Sequence, residues 1–265
     1  MTQAEFAVRC EGKLLVAMVG LPARGKTYIA QRIMRHMEWN EMTTRLFNAG
    51  NYRRFLVGAH TPASFFDPAN PEGAALREKC ADLALQASRG KCFCFFCFCS
   101  EGEKLVVAIF DATNTTRGRR AWIRETVERH SVASGGKVQL VFLETMLTDD
   151  AQVWKNVRDA KLKSPDYAGM DPDAAMADFT ERIVRYKSVY EPVSRDEDVP
   201  FIRLTDAGEE LLSYRAGTSR LAGRVVSLMS VMRLRLQPIL LTRCGESDNE
   251  AQGRLGGDTL LTVVG

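Results

Sequence analysis

The chain has 265 residues, 45% of them hydrophobic and 26% charged, with a formal net charge of +3. That composition belongs to a soluble globular protein with room for one large or two modest domains. The small net charge argues against a nucleic-acid partner, and no apolar run approaches the ~20 residues of a membrane span. Residues 1–12 carry Glu5 and Glu11 and no long apolar core, so they read as an N-terminal extension, not a signal peptide. Seven cysteines in such a chain read as reduced thiols, hence a cytoplasmic protein.

The first predicted strand is Leu14–Val19. It runs into Gly20-Leu21-Pro22-Ala23-Arg24-Gly25-Lys26-Thr27, and a helical pattern follows, with Ile29, Ile33 and Met37 on one stripe of Tyr28–Trp39. This strand–G-x-x-x-x-G-K-T–helix order is the context a P-loop requires. Its glycines let backbone N–H groups turn inward around phosphate oxygens, and the helix adds its positive end. Lys26 would reach the terminal phosphates and Thr27 would ligate magnesium, so the chain reads as a binder of a nucleoside triphosphate.

Further along, Thr44–Asn48 reads as a strand. Leu76, Cys80, Leu83 and Ala87 mark a helix after the Pro-rich loop Thr61–Pro71. Leu105–Phe110, Val138–Leu143 and Val199–Leu204 are the remaining strands of this part. Ala174–Tyr190 (Met176, Phe179, Ile183, Tyr186, Tyr190) and Glu209–Met232 read as helices. Alternation of this kind implies an α/β fold, a parallel sheet flanked by helices of the P-loop NTPase type. The loops after Val19, Asn48 and Phe110 should then converge at the carboxyl ends of the strands.

A second cluster, Phe110-Asp111-Ala-Thr-Asn-Thr-Thr116-Arg117-Gly-Arg119-Arg120, follows the third strand. Phosphoryl transfer needs a carboxylate near the P-loop, as a magnesium ligand or as a base for the attacking hydroxyl, and Asp111 is placed for it. Arginines at a helix start can clamp an anionic substrate bidentately. The simpler alternative, a solvated basic helix start, suits Arg120 alone.

Together with Asn51-Tyr52-Arg53-Arg54, Lys161-Leu-Lys-Ser-Pro-Asp-Tyr167 and Arg182…Tyr186…Tyr190-Glu191, these motifs resemble the kinase half of the 6-phosphofructo-2-kinase/fructose-2,6-bisphosphatase family. The resemblance covers about residues 13 to 257. It implies ATP and Mg2+ as cofactors and transfer of the γ-phosphoryl group to the 2-hydroxyl of fructose 6-phosphate. By the same resemblance, residues 20–27, Tyr28, Asn156 and Lys161 serve the nucleotide, with Lys26 and Asp111 catalytic and Thr27 and Asp111 on the metal. Arg53, Arg77, Thr113, Arg119, Lys161, Arg182 and Tyr186 would hold the sugar phosphate. A homodimer is compatible with the resemblance, with neither nucleic acid nor membrane as a partner.

Three departures stand out. Glu144-Thr145-Met146-Leu147 carries leucine where the family has a cysteine, which implies reduced activity rather than none. Cys92-Phe-Cys-Phe-Phe-Cys-Phe-Cys99 looks like an insertion. In a strand its cysteines would face opposite sides, which disfavours a zinc site.

In the tail, Pro238–Arg243 reads as a strand opening a phosphoglycerate-mutase-like stub at 236–265, beyond a kinase domain at 13–235. Cys244 stands where the family's phosphatase half has its nucleophilic histidine, and Glu250 at the place of an asparagine. The leading expectation is therefore a kinase without phosphatase activity. A pseudo-enzyme that regulates a full-length partner, or another P-loop small-molecule kinase, are the competing ones.

Overall fold

Side-chain alternation along β1 (Gly12–Val19) sets the two layers of the fold: Leu14, Val16 and Met18 join one core, Leu15, Ala17 and Val19 the other, and all six are fully buried. A strand covered on both faces reads as the continuous apolar run seen in the sequence. The computed structural model describes residues 12–86, 105–134, 138–232, 245–254, 257 and 259–263. The chain divides into two units, Met1–Leu234 and Arg235–Gly265.

In the first unit, β1 is followed by α1 (Lys26–Trp39), β2 (Thr43–Asn48), α2 (Ala49–Val57) and α3 (Pro71–Gln86). Then come β3 (Leu105–Asp111), α4 (Arg117–Ser134), β4 (Val138–Met146), α5 (Asp150–Asn156) and α6 (Pro172–Ser188). β5 (Phe201–Thr205), β6 (Glu210–Tyr214) and α7 (Arg220–Val231) close the unit. The sheet order is β2-β3-β1-β4-β5-β6, with β1 parallel to β3 and β4, β2 parallel to β3 and β5 parallel to β4.

One core packs Ala81, Ala84 and Leu85 of α3 and Ile123 and Val127 of α4 against Leu15, Ala17, Phe110 and Phe142. The other packs Ile29, Ile33 and Met37 of α1 and Leu221, Val225 and Met229 of α7 against Leu14, Val16, Ile109 and Leu143. A third, smaller cluster joins Val153, Val157, Tyr167, Phe179 and Ile183 to Ala23 of the P-loop. The element α5 runs into a π-helical turn, Val157–Lys161, an irregularity that recurs at functional sites.

Several expectations change. The segment Glu209–Met232 is not one helix. The residues Asp206, Ala207 and Gly208 have positive φ and turn the chain back, so Glu210–Tyr214 pairs antiparallel with β5 and makes the sheet mixed at its edge. The helix restarts only where the Ser219 side chain accepts a hydrogen bond from Ala222 N. In α3 the buried positions are Cys80, Ala81, Ala84 and Leu85, with Leu76 and Leu83 only partly covered; Ala87 lies outside the described residues. The helix α6 starts at Pro172, capped by Asp171, and ends at Ser188, so Tyr190 belongs to the following segment.

Of the two readings open for Arg120, the solvated helix start does not hold, since its side chain is fully buried. In the second unit, Ser247 caps a short helix, α8 (Asp248–Ala251), and bridges to Leu261. Cys92–Cys99, the expected strand Pro238–Arg243 and Cys244 lie outside the described residues. Among those described, no group of three His, Cys, Asp or Glu is placed to hold a metal, and no helix is long and apolar enough to cross a membrane.

On β4, the fully buried Glu144 accepts hydrogen bonds from Tyr190 Oη (2.6 Å), Val193 N (2.9 Å) and Arg203 Nε (2.6 Å). It ties the segment after α6 to the sheet. Breaking a buried pair strands the remaining partners, at a cost of about 3–5 kcal/mol. Glu144→Ala should therefore lower the unfolding free energy by that amount, seen in equilibrium unfolding as a lower denaturant midpoint with an unchanged slope.

Candidate active site

The loop between β1 and α1 is built by backbone conformation. Gly20 (φ 136°), Ala23 (φ 60°) and Gly25 (φ 80°) all occupy the left-handed half of φ space. A Cβ on Gly20 would meet the Thr145 carbonyl oxygen at 2.6 Å, so only glycine lets the loop leave β1 alongside β4. The loop is pinned on two sides: Gly20 N donates to the Thr113 carbonyl (2.9 Å), and Asn156 Nδ2 donates to the Ala23 carbonyl (3.0 Å). No side chain caps α1 at Gly25, which leaves its first amides and positive end to an anion.

Buried beneath this loop, Lys26 donates from Nζ to the Leu21 carbonyl at 2.6 Å. Burial lowers its pKa to about 7; Asp111 opposes the shift, whereas Lys161, Arg24 and Arg182 add to it. The Thr27 hydroxyl donates to Asp111 Oδ2 at 2.8 Å, and Asn48 Nδ2 to the same oxygen at 2.5 Å. The strand ends therefore meet as expected, since Asn48 closes β2 and Asp111 closes β3, and the two residues are register partners.

From there a cavity of about 670 Å3 opens. It is lined by Lys26, Thr27, Arg53, Arg77, Thr113, Arg119, Lys161, Arg182 and Tyr186, together with Asn48, Arg54, Phe66 and Asp166. Every residue expected to hold the acceptor thus borders one space. Their pairings differ. Arg53 is buried and donates twice to Asp166 (2.6 Å each), with Arg54 Nε adding a bond at 3.0 Å. Burial pushes the Asp166 carboxyl up, but the bonds from both arginines outweigh it and hold it below the usual carboxylate range.

The Arg77 guanidinium donates to the Phe65 carbonyl, and that of Arg119 to the Arg77 carbonyl (3.3 Å) while lying 4.6 Å from the Trp122 ring. Arg182 stacks 3.7 Å from the Phe66 ring, with Tyr186 on the same ring at 5.8 Å. Burial lowers the pKa of Lys161, partly offset by Asp111 and reinforced by Arg182 and Arg54.

Other expected residues have different places. The hydroxyl of Tyr28 is half exposed and accepts from Arg32, outside the cavity lining. The Asn156 side chain holds the P-loop backbone. Leu147 packs in the third cluster with Ala23 and Val153, so it makes an apolar contact where a polar residue was weighed. Sequence reasoning missed Asn48, Asn114 and Asp166. Asn48 also caps α2 by accepting from Asn51 N, and an Asn between a strand and a helix is a readable cap signal. Asp166, by contrast, is brought to Arg53 from more than a hundred residues away and gives no local signal.

The site suits polyphosphate and a hard cation. Arg24 Nη1 and Arg182 Nε are buried without a hydrogen-bond partner, and the uncapped α1 adds free amides. The Thr27 hydroxyl beside the Asp111 carboxylate is a donor set that Mg2+ takes.

Comparison with known proteins follows this geometry. The profile of the family described as 6-phosphofructo-2-kinase matches residues 3–238. A 6-phosphofructo-2-kinase/fructose-2,6-bisphosphatase of Arabidopsis thaliana is 36% identical over 253 residues, 95% of this chain and 32% of that protein. One from Gallus gallus is 38% identical over 253 residues, 95% of this chain and 51% of the relative. A protein named fructose-2,6-bisphosphatase from Saccharomyces cerevisiae is 37% identical over 256 residues, 96% and 53% respectively. The chain spans about half or less of these relatives' length.

The buried lysine has a pH signature. Its folded pKa lies below its ordinary 10.5, so between about pH 7 and 10.5 the unfolded chain binds more protons. The lysine therefore penalises folding below pH 7, and the penalty fades as pH rises through that window. Lys26→Met should stabilise the ligand-free protein most at pH 6–7, and the advantage should shrink towards pH 10. Urea unfolding of both proteins across this range checks it; a pH-independent difference would contradict it.

Proposed function

The chain belongs to the 6-phosphofructo-2-kinase family, and from that premise we propose that it transfers the γ-phosphoryl group of ATP to the 2-hydroxyl of fructose 6-phosphate. The observation that carries this reading is the single cavity in which Lys26 and Thr27 border the acceptor residues, with Asp111 bonded to Thr27. Names of relatives do not decide the matter, because proteins named for the kinase and for the phosphatase are about equally similar to this chain.

On this reading the α1 amides and Lys26 hold the nucleotide phosphates. The Lys26 ammonium exchanges its bond to the Leu21 carbonyl for phosphate oxygens, which favours its charged form. Thr27 and Asp111 would hold Mg2+, which supplies charge neutralisation at the transferring phosphoryl group. Asp111 would also orient the attacking hydroxyl. Arg77, Arg119, Arg182, Lys161 and Tyr186 grip the 6-phosphate, while Arg53 acts with Asp166 as the rigid floor beneath them. Two bonds to a buried carboxylate leave Arg53 less free than the others for substrate.

We further propose that 13–235 is the kinase domain, and that this chain does not remove the 2-phosphate. Cys244 stands at the place of the phosphatase nucleophile, and a thiol does not replace imidazole in that chemistry. Inorganic phosphate release from fructose 2,6-bisphosphate should stay at background.

The direct test is ADP release with fructose 6-phosphate against other sugar phosphates. Lys26→Met should cut turnover by orders of magnitude in a folded protein. Arg182→Ala or Arg119→Ala should raise the KM for fructose 6-phosphate about ten- to a hundredfold, because a charge-assisted bond contributes roughly 1.5–3 kcal/mol. The KM for ATP should barely move. Nucleotide binding without turnover on any acceptor would favour the regulatory pseudo-enzyme, and a better acceptor of another class would favour a different small-molecule kinase.

A further inference from the structure

Arg120 has no part in that scheme, yet it is a fully buried guanidinium that bonds both a turn beyond α6 and Asn114 of the cavity lining. Its Nε and Nη2 donate to the two carboxylate oxygens of Glu197 at 2.7 Å each, and its Nη1 donates to the Asn114 carbonyl at 3.2 Å. Glu197 closes the turn Arg195–Glu197, where its carboxylate also accepts from Ser194 N (3.1 Å).

This turn lies on the segment that continues directly from α6, the helix of Arg182 and Tyr186. Asn114 is in the left-handed region (φ 44°), a strained conformation for a residue with a side chain, and its Nδ2 donates to the Met18 carbonyl (2.8 Å). On either side of it, the Thr113 carbonyl accepts from Gly20 N and the Thr115 carbonyl from Glu191 N, both at 2.9 Å. One guanidinium thus clamps together the loop of Thr113, the start of the helix that carries Arg119, and the segment that extends from Arg182 and Tyr186.

We propose that Arg120, through Glu197 and Asn114, is a positioning residue for acceptor binding: it sets the Thr113 loop and Arg119 against the α6 wall, without touching substrate. The proposal rests on the acceptor assignments above. A salt bridge that served folding alone would need only the two bonds to Glu197. The third bond, to a strained loop that also holds the P-loop, is what a positioning role requires.

The test exploits the rule that a matched apolar pair can replace a buried ion pair with little loss of stability. Arg120→Met combined with Glu197→Met should melt near the unmodified protein yet raise the KM for fructose 6-phosphate about tenfold, the effect of one lost bond from a charged group. The KM for ATP should change by less than about twofold, because the α1 amides and Lys26 keep their places. In the ligand-free protein, the amides of Gly20 and Glu191, which donate into the loop, should exchange hydrogen faster, while those in the middle of β1 should not.

Recovery of the sugar-phosphate KM together with stability, a parallel rise in both KM values, or unaltered amide exchange would each overturn the proposal. Should the double variant fail to fold, Arg120→Lys keeps the charge against Glu197 but lacks the fork that reaches Asn114. It should show the same KM split, and an unchanged KM there overturns the idea equally. If the unmodified protein does not turn over fructose 6-phosphate, the kinase reading fails, and the exchange measurement still decides the clamp.

Discussion

The site is organised by a charge imbalance held out of water. Lys26, Lys161, Arg182, Arg53, Arg54, Arg77 and Arg119 border one cavity, whose lining carries the carboxylates Asp166 and Glu78, while Asp111 acts on both lysines. Buried cations without compensation are costly, and the protein meets that cost in three ways. Asp166 takes both Arg53 and Arg54. Arg182 lies over the Phe66 ring, whose quadrupole attracts its charge in a cation–π contact. The remainder appears as the depressed pKa values of Lys26 and Lys161. A bound anion would relieve the depressed pKa values of both lysines.

The sheet order explains why these groups meet. β1 sits between β3 and β4, so the loop leaving it must run between the ends of both neighbours. Gly20 is squeezed against the Thr145 carbonyl of β4 and tied to the Thr113 carbonyl beyond β3. The P-loop therefore cannot shift without moving the loop of Thr113. On the proposed reading, the nucleotide and acceptor walls would be coupled through backbone, which is a stiffer link than side-chain contact.

Much of this was legible in the sequence, and what was not fails for definable reasons. The strand–loop–helix start and the strand ends depend on local patterns and appear where expected, and the residues that motif order assigned to the acceptor border one cavity. The helix expected at Glu209–Met232 failed because Asp206, Ala207 and Gly208 take positive φ, and only the last is a residue for which that is routine. Arg120 stood open between an anion clamp and a solvated helix start, whereas its burial follows from Glu197, 77 residues further on. Asp166 was invisible for the same reason. Long-range ion pairs leave no trace in spacing, and in this site they decide which arginines remain free.

Leu147 shows how an apparent loss can be structural. Its side chain packs in the cluster with Ala23, Val153 and Val157, the same cluster that takes in Phe179 and Ile183 from α6. Ala23 is held at φ 60°, a conformation that costs an L-residue roughly 1–2 kcal/mol and persists only under constraint. The Asn156 bond to the Ala23 carbonyl and this apolar packing supply the constraint. Phosphoryl transfer draws mainly on positioning and electrostatics. A leucine that fills the cluster preserves the first and leaves the second to Lys26, Lys161 and the arginines. Position 147 therefore contributes through packing, by keeping the P-loop in shape and joining it to the helix that carries Arg182 and Tyr186.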